Sequence, residues 1–345
     1  IIDGLVRLGV DEIELGVVSP ENQDLGELTA YIRRHHPAQP FSLWCRCKDE
    51  DIRHAATLQP TILALSIPAS DLHISKKLGK NRNWVTEKLR SSLKAAREAG
   101  FSKIGVGLED ASRADLDFIR KLAEIGVSGG AFRLRLADTV GIASPLDISR
   151  MLTALAGLKL ELALHCHNDF GMATANSLTG LALGAKWADA TILGLGERAG
   201  NSRLEELVSY LTLRKDHHYN LEALSPLSNY VASRASRKIG PARPILGAEI
   251  FTCETGLHLQ GLMADPTTYE PFAPEKLGRK RIIKIGQKAG RRCIAATLVR
   301  LGLVVLDERN LTKITRHVRK KAASRQGALT DHEILTLAKP FCLSI

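Results

Sequence analysis

Hydrophobic and polar residues follow one repeated order from the start of the chain to about residue 214. A short apolar run comes first, then a polar loop, and then a longer amphipathic stretch that ends at a glycine. Short apolar runs are typical of buried strands, and the longer stretches are typical of helices. Seven runs predict strands, over residues 12–16, 41–46, 61–67, 103–108, 132–136, 161–166 and 189–194. Strands that alternate with single helices predict a parallel sheet, either open and doubly wound or closed as a (β/α)8 barrel.

Capping signals mark the ends of several predicted helices. Asn83 is expected to open one helix, and Ser144, which precedes a proline, is expected to open another. Ser112 and Asp115 resemble a capping box ahead of a third helix.

The chain opens on a predicted helix, residues 1–8, with no strand ahead of it. Seven strands are one fewer than a closed barrel of this type contains. We therefore expect a TIM (β/α)8 barrel that lacks its first strand in this chain, with that strand and its loop before residue 1. The alternation stops after residue 216, so the predicted domains are an N-terminally incomplete catalytic barrel at 1–216 and smaller, mainly helical subdomains at 217–345.

The composition is that of a globular protein. With 345 residues, 44% of them hydrophobic and 25% charged, the chain can bury a large core, which excludes collagenous and disordered classes. No apolar run approaches the roughly 20 residues of a membrane helix, and the N-terminus lacks the layout of a signal peptide, so we expect a cytoplasmic protein with no membrane partner. The six cysteines are scattered without a C-x-x-C pair, which predicts reduced thiols.

The net charge of +11 is concentrated in one stretch of the sequence. Residues 276–325 contain 16 lysines and arginines against two acidic residues, and the rest of the chain is slightly acidic. This stretch has no Phe, Trp or Tyr, so it lacks the stacking platforms that usually accompany single-strand binding. Solvated helical faces are the simplest interpretation, and attraction of an anionic ligand or of nucleic acid are the alternatives.

The sequence His-Cys-His-Asn-Asp at 165–169 ends the sixth predicted strand. Because successive side chains of a strand point to opposite faces, His165 and His167 share a face and Cys166 points away. The carboxyl ends of barrel strands carry the active site, and this pair lies at such an end. Two imidazoles on one face predict a shared metal ion, and the alternative is two hydrogen-bonded histidines in a polar barrel mouth.

A hard or borderline divalent ion normally also needs oxygen ligands. The missing first strand is one source, and four residues near predicted strand ends are others: Glu14, Glu109, Asp138 and Asn201. Asn201 ends the segment Gly-Leu-Gly-Glu-Arg-Ala-Gly-Asn at 194–201, which precedes a helix beginning near Ser202. A helix N-terminus favours an anion or a metal-bound ligand, and a simple tight turn is the alternative.

Other polar residues near strand ends suit substrate binding and proton transfer. Glu109 can accept a proton, and Arg135 and Thr139 can hold a carboxylate, although buried acids and arginines also pair for structural reasons. The second region adds three candidates whose roles the residues alone leave open: Glu254, His258 and Tyr269.

Several segments between about residue 9 and residue 290 carry a family resemblance. They are HCHNDFGMATANS at 165–177, GLGERAGN at 194–201, EDASRAD at 109–115, RLADTVG at 135–141, ETGLHLQGL at 254–262 and DPTTYE at 265–270. In these segments the chain resembles the metal-dependent acyl-CoA condensing enzymes, the family of homocitrate, 2-isopropylmalate and citramalate synthases. The segments LWCRCKDEDI and LSIPASDLHISKKLGK are most similar to the homocitrate synthases of nitrogen-fixing bacteria, whose product becomes part of the nitrogenase cofactor.

The resemblance implies a TIM barrel and a homodimer in which the C-terminal region reaches over the partner's barrel. It implies condensation of acetyl-CoA with 2-oxoglutarate to homocitrate and CoA, with a divalent cation as cofactor, Mg²⁺ or Mn²⁺ and alternatively Zn²⁺. The implied metal residues are His165 and His167, supported by Asn201. The implied residues for the 2-oxoacid are Arg135 and Thr139. The implied residues for proton transfer are Glu109, His258 and Tyr269.

Three features depart from the family pattern. The opening strand motif Leu-Arg-Asp-Gly-Glu-Gln, which supplies an arginine and a metal carboxylate, is absent, residues 286–290 read GQKAG where GKHSG is usual, and Cys253 stands where histidine is common. Three alternatives therefore stay open: a related enzyme for 2-oxoisovalerate or pyruvate, a catalytically inactive paralogue or fragment that serves as a binding subunit, and a nucleic-acid binder.

Overall fold

The computed structural model describes residues 1–19, 21–253, 258, 261–262 and 264–344, and it divides into two compact units. The first unit is Ile1–Arg237 and the second is Lys238–Ile345. Residues 217–237, which the sequence analysis assigned to the second region, pack within the first unit. There a helix at Leu224–Arg234 contacts the first helix of the chain, Ile2–Leu8.

A parallel sheet of seven strands forms the centre of the first unit, and its strands are neighbours in chain order. The strands are β1 (Ile13–Val17), β2 (Phe41–Arg46), β3 (Ile62–Pro68), β4 (Ile104–Glu109), β5 (Arg133–Asp138), β6 (Glu161–Cys166) and β7 (Trp187–Ala188). The sheet curls as part of a TIM barrel, with β1 and β7 as its two edges in the described chain. This confirms the predicted fold class, a β/α barrel with seven strands.

Nine α-helices accompany these strands in the described part of this unit. They are α1 (Ile2–Leu8), α2 (Leu25–His35), α3 (Asp49–Leu58), α4 (Arg82–Glu98), α5 (Leu116–Ser128), α6 (Pro145–Ala154), α7 (Ala173–Ala182), α8 (Leu204–Lys215) and α9 (Leu224–Arg234). Their apolar faces pack against the outward-facing residues of the sheet, such as Leu63, Leu65, Val106 and Leu134, and form one continuous core.

The predicted helix caps are partly confirmed. Ser144 caps α6 in a full capping box with Asp147. Asn81, two residues before the predicted Asn83, caps α4 by accepting a hydrogen bond from the Trp84 amide. Asp115 caps α5 by itself, because the predicted partner Ser112 lies inside a separate 3-10 turn.

The seventh strand is shorter and earlier than predicted. The sequence analysis placed it at 189–194, whereas β7 covers only Trp187–Ala188. The Asp189 amide still donates to the Leu164 carbonyl, but Thr191 then pairs with Arg203 outside the sheet. The apolar run that resembled a strand forms a 3-10 turn, Ile192–Gly194, that buries its first residue.

Two arginines of β5 form ion pairs across the inside of the curled sheet. Arg133 donates to both carboxylate oxygens of Glu12 at 2.7 and 2.9 Å, and Arg135 donates to Glu14 at 2.8 Å. Because β1 and β5 are not neighbours in the sheet, these pairs span its concave side.

Glycines on β4 make room for both guanidinium groups. Gly105 and Gly107 lie in register with Arg133 and Arg135. A Cβ atom added at Gly105 would lie 3.5 Å from Arg133 Nε, and one at Gly107 would lie 3.6 Å from Arg135 Nε. Longer side chains at these positions would therefore compete with the arginines for the same space.

The second unit is mainly helical, as predicted, with short strands that the sequence analysis did not anticipate. The helices with described bounds are α10 (Arg291–Arg300), α11 (Glu308–Arg325) and α12 (Asp331–Ala338), which pack around Ile294, Leu298, Ile314 and Val318. Its short strands are β8 (Thr252–Cys253) parallel to β9 (Ile282–Ile283), and β10 (Leu303–Val305) antiparallel to β11 (Cys342–Ser344). Across the described ranges, no helix combines the length and the apolar character that crossing a bilayer requires.

The Arg133–Glu12 pair predicts a stability effect, since about nine-tenths of each side chain is buried. Substitution Arg133→Leu would leave the Glu12 carboxylate buried without a partner and should lower the free energy of unfolding by about 3–5 kcal/mol. Urea denaturation followed by circular dichroism measures this loss. The double variant Glu12→Leu/Arg133→Leu serves as the control and should recover most of the loss. A double variant as unstable as the single one would contradict the pairing argument.

Candidate active site

The end of β6 brings two histidine rings to one point. His165 Nε2 and His167 Nε2 lie 3.3 Å apart, with the ring centroids 5.1 Å apart. Cys166, between them, is buried in the core, and burial raises the pKa of its thiol to about 12. The predicted alternation is confirmed, since the histidines share a face and the cysteine does not.

The geometry of this pair fits a divalent cation. Imidazole nitrogens bind such an ion at about 2.0–2.1 Å, so two ligands of one ion lie roughly 3.0–3.4 Å apart. Burial lowers the pKa of His167, and the nearby His165 ring lowers it further. The lowered pKa favours the neutral ring that a metal requires. Within the described ranges, no group of three or more His, Cys, Asp or Glu side chains is arranged to hold a metal. Side chains of other residue types near this pair are therefore considered as further ligands.

Asn201 provides a candidate for that further ligand. Its Oδ1 atom is buried and has no hydrogen-bond partner among the described residues, while its Nδ2 donates to the Leu195 carbonyl at 3.0 Å. A backbone bridge pairs Asn201 with His167. An unpartnered buried amide oxygen on a residue whose backbone pairs with His167 suits a cation, because a buried polar atom otherwise finds a hydrogen bond.

Asp189 connects the histidine pair to the interior arginine. Its Oδ2 atom lies 3.0 Å from His165 Nδ1 and 2.8 Å from Arg135 Nη1. Burial acts to raise the pKa of this carboxyl, but Arg135 and the hydrogen bond with His165 outweigh it and hold the pKa below its ordinary value. The network therefore assigns the proton of His165 to Nδ1 and leaves the Nε2 lone pair free toward His167.

Glu109 lies at the end of β4, and its carboxylate contacts Lys77 Nζ at 2.7 Å and Ser66 Oγ at 3.2 Å. No hydrogen bond joins it to the histidine pair among the described contacts. Thr139 accepts a hydrogen bond from the Asp110 amide through its hydroxyl, at 2.8 Å. Both residues therefore lie at strand ends, as predicted, with partners of their own.

Asp138 and Glu14, the other candidate oxygen ligands, have structural partners. The Asp138 carboxylate is buried and accepts hydrogen bonds from the amides of Ile142 and Ala143, which shapes the loop after β5. Glu14 pairs with Arg135.

The candidates of the second unit contact each other. The rings of His258 and Tyr269 are 4.4 Å apart between centroids, with a tilt of 36°. Glu254 lies outside the described residues.

Two family models match the chain in succession. The model described as HMGL-like matches residues 1–231, and the model described as homocitrate synthase post-HMGL domain-like matches residues 245–326. The first match covers more than half of the chain. The chain belongs to the HMGL-like family.

Curated relatives extend this result over nearly the full length of the chain. 2-Isopropylmalate synthase 2 of Caldanaerobacter subterraneus subsp. tengcongensis is 35% identical over 96% of this chain and 87% of its own. The putative (R)-citramalate synthase CimA of Archaeoglobus fulgidus is 37% identical over 98% of this chain and 69% of its own. Homocitrate synthase AksA of Methanothermobacter thermautotrophicus is 35% identical over 92% of this chain and 81% of its own. The family is therefore that of the condensing synthases, and three substrate preferences occur at comparable distance.

The HMG-CoA lyase of Bacillus subtilis is similar in fold, with a TM-score of 0.61 at 22% identity over 69% of this chain and 86% of that one. This similarity supports the TIM barrel of the first unit.

Sequence reasoning missed three residues that contact the predicted ones. Asp189 was interpreted as the first residue of a strand, Lys77 was not considered, and Arg198 was read only as part of a glycine-rich turn. The only sequence evidence for these three residues was their location along the chain, shortly after a strand or between two motif segments.

The role of Asp189 can be tested on the metal-free protein. Substitution Asp189→Asn keeps the shape of the side chain but removes the charge that fixes the proton on His165 Nδ1. We expect the Nδ1-protonated form of His165 to lose its dominance, which long-range ¹H–¹⁵N NMR of the histidine rings at neutral pH detects. Asp147→Asn, which changes an acid that does not contact His165, is the control. Identical His165 nitrogen shifts in Asp189→Asn and the wild type would refute the assignment.

Proposed function

We propose that this protein is a homocitrate synthase, an acyltransferase that condenses acetyl-CoA with 2-oxoglutarate and releases homocitrate and CoA. The family, the homocitrate synthase-type second region and the relative AksA support an acyl-CoA condensing enzyme. We further propose, from the sequence resemblance, a cytoplasmic homodimer that supplies homocitrate for nitrogenase cofactor synthesis.

The unpartnered ring nitrogen of His73 is the observation that favours 2-oxoglutarate over other 2-oxoacids. His73 lies in the same short helical segment as Lys77, which contacts Glu109. The Nε2 atom of His73 lies 3.4 Å from Nη2 of Arg113, which itself pairs with Asp110. His73 Nδ1 is buried with no hydrogen-bond partner among the described residues. A second carboxylate on the substrate would give His73 Nδ1 a partner, whereas the branched alkyl group of 2-oxoisovalerate would leave this nitrogen without one.

The residues at the β6 end and in the 194–201 turn would hold the cofactor. His165, His167 and Asn201 would bind a divalent cation, Mg²⁺ or Mn²⁺ and alternatively Zn²⁺. When bound, such an ion polarises the 2-oxo carbonyl of the substrate and stabilises negative charge on its oxygen.

Arg135 and Thr139 would orient the carboxylate next to the 2-oxo group. Arg135 already contacts two acids, and Glu14 is the one that leaves without disturbing His165, because Asp189 holds both His165 and Arg135. We therefore expect the substrate carboxylate to replace Glu14 on the guanidinium.

Proton transfer completes the reaction. Glu109, as the base, removes a proton from the acetyl methyl group, and the methyl carbon forms the new bond to the 2-oxo carbon. The carbonyl oxygen takes up a proton and becomes the hydroxyl of the product. Water then cleaves the thioester, and His258 and Tyr269 assist the transfer of protons during this condensation and release.

A related synthase that uses 2-oxoisovalerate or pyruvate is the alternative function. It is favoured by the 35% and 37% identity to a 2-isopropylmalate synthase and to a putative citramalate synthase. A catalytically inactive paralogue or fragment that serves as a binding subunit is the other alternative.

The decisive assay is the release of CoA from acetyl-CoA with 2-oxoglutarate, 2-oxoisovalerate and pyruvate in separate reactions containing Mg²⁺ or Mn²⁺. The protein is purified from its own source, so that it carries whatever residues the cell gives it. We expect release with 2-oxoglutarate and identification of homocitrate by mass spectrometry. Release only with another 2-oxoacid would reassign the substrate, and no release with any of them would favour the inactive paralogue.

Substitutions along β6 test the histidine pair. His165→Ala and His167→Ala should each lose activity and the retention of Mn²⁺, because each removes one of two converging nitrogens. Cys166→Ala should retain both, because this side chain points into the core, and it is the matched control on the same strand. Mn²⁺ retention after gel filtration is measured by elemental analysis. Equal losses in all three variants would contradict the separation of faces.

A further inference from the structure

Arg198 contacts the loops that follow two other strands. Its Nε and Nη2 atoms donate to the two carboxylate oxygens of Asp169 at 2.8 and 2.9 Å, and Nη2 also donates to the Thr139 carbonyl at 2.9 Å. Asp169 follows β6, Thr139 follows β5, and Arg198 itself follows β7. A planar guanidinium that meets a carboxylate with two parallel bonds fixes direction as well as distance.

The backbone of Arg198 is in an unusual conformation. Arg198 has a φ of 52°, in the left-handed region that residues with a side chain seldom adopt. Such a conformation persists where the surrounding contacts over-determine it. The close approach of Asp169 also requires Gly141, because a Cβ atom there would lie 2.2 Å from Asp169 Oδ2.

The turn that Arg198 holds also carries Asn201. The backbone N–H of Asn201 donates to the Gly194 carbonyl at 3.0 Å, and the backbone N–H of Asn168 donates to the Gly200 carbonyl at 2.8 Å. The position of the unpartnered Asn201 Oδ1 therefore depends on how the turn sits against the end of β6.

We propose that Arg198 is a positioning residue for the metal site. Its clamp on Asp169 and Thr139 fixes the 194–201 turn against the β6 end and thereby places Asn201 Oδ1 beside His167. Arg198 does not touch the reacting atoms in this assignment. The inference rests on the proposed function in that a cation occupies the site, but the placement of the turn is a property of the protein alone.

The variants Arg198→Ala, Arg198→Lys and Asp169→Asn test the clamp, with Arg82→Ala as the matched control. Arg82 makes the same two-bond contact with Asp71, at 2.7 and 2.6 Å, and its side chain is 40% exposed against 42% for Arg198. It also donates to Asp115 at 3.4 Å and lies over the Phe118 ring, but it contacts neither Asp169 nor Thr139. Arg82→Ala therefore reports the cost of losing a comparably exposed, paired arginine away from the histidine pair.

The first measurement needs no metal. Hydrogen exchange followed by mass spectrometry compares peptides that cover 165–171 and 194–203. We expect faster exchange of both segments in Arg198→Ala and Asp169→Asn, an intermediate rate in Arg198→Lys because an ammonium lacks the planar fork, and no change in Arg82→Ala. Wild-type exchange rates in Arg198→Ala would overturn the proposal.

The second measurement is the affinity for Mn²⁺, by calorimetric titration. Arg198→Ala should bind Mn²⁺ about 10- to 100-fold more weakly, the range seen when residues that orient metal ligands are removed. The double variant Arg198→Ala/Asp169→Asn should bind Mn²⁺ no more weakly than either single variant, since the two residues act as one unit. Faster exchange with unchanged Mn²⁺ affinity would show a merely structural clamp and overturn the proposal. If the wild-type protein binds no Mn²⁺, the proposed function fails, and the exchange measurement alone then decides whether the clamp exists.

Discussion

Charge pairing on the concave side of the sheet is the interaction on which the candidate site depends. Arg135 reaches from β5 to Glu14 on β1 and to Asp189 after β7, and Asp189 in turn holds His165. Charged side chains that are partly buried are stable only when each is paired with an opposite charge, because an unpaired buried charge is far more costly than an unpaired surface charge. The orientation of the histidine pair is therefore linked to the placement of an arginine on the neighbouring strand, β5.

The concave side of the sheet contains two ion pairs at different depths, Arg133–Glu12 at the lower level and Arg135–Glu14 at the upper level. The Arg133–Glu12 pair is about nine-tenths buried and lies two residues earlier in the sequence on each side, with Arg133 on β5 and Glu12 just before β1. Arg133 also stacks on Trp187, with the guanidinium carbon 4.8 Å from the ring centroid. We interpret this lower level as structural and the upper level, where Glu14 is 40% exposed, as the one that can exchange partners. We base this interpretation on the difference in burial between Glu12 and Glu14.

The sequence predicted the parts of the structure that local pattern controls. Runs such as 41–46 and 161–166 became β2 and β6 with the predicted bounds, because each contains a short, mainly apolar centre between polar loops. The convergence of His165 and His167 followed from the two-residue period of a strand. The seventh strand failed because Ile192 is buried in a 3-10 turn, and an apolar run has the same appearance in either setting. Asp189 and Arg198 could not be assigned, because their partners lie 24, 54, 29 and 59 positions away in the sequence and only the folded chain brings them together.

The glycines of β4 have a consequence for how this barrel can change over generations. The space above Gly105 and Gly107 is filled from the neighbouring strand, so β4 and β5 share one volume that holds a bulky residue on either strand but not on both. Alanine at position 105 or 107 makes only ordinary contact with the facing arginine, whereas a longer side chain is tolerated only after that arginine has shortened, and Glu12 and Glu14 then lose their counter-charge. The inner faces of β1, β4 and β5 are thus constrained to evolve as a group, and intermediate sequences that alter one strand alone pass through a less stable protein.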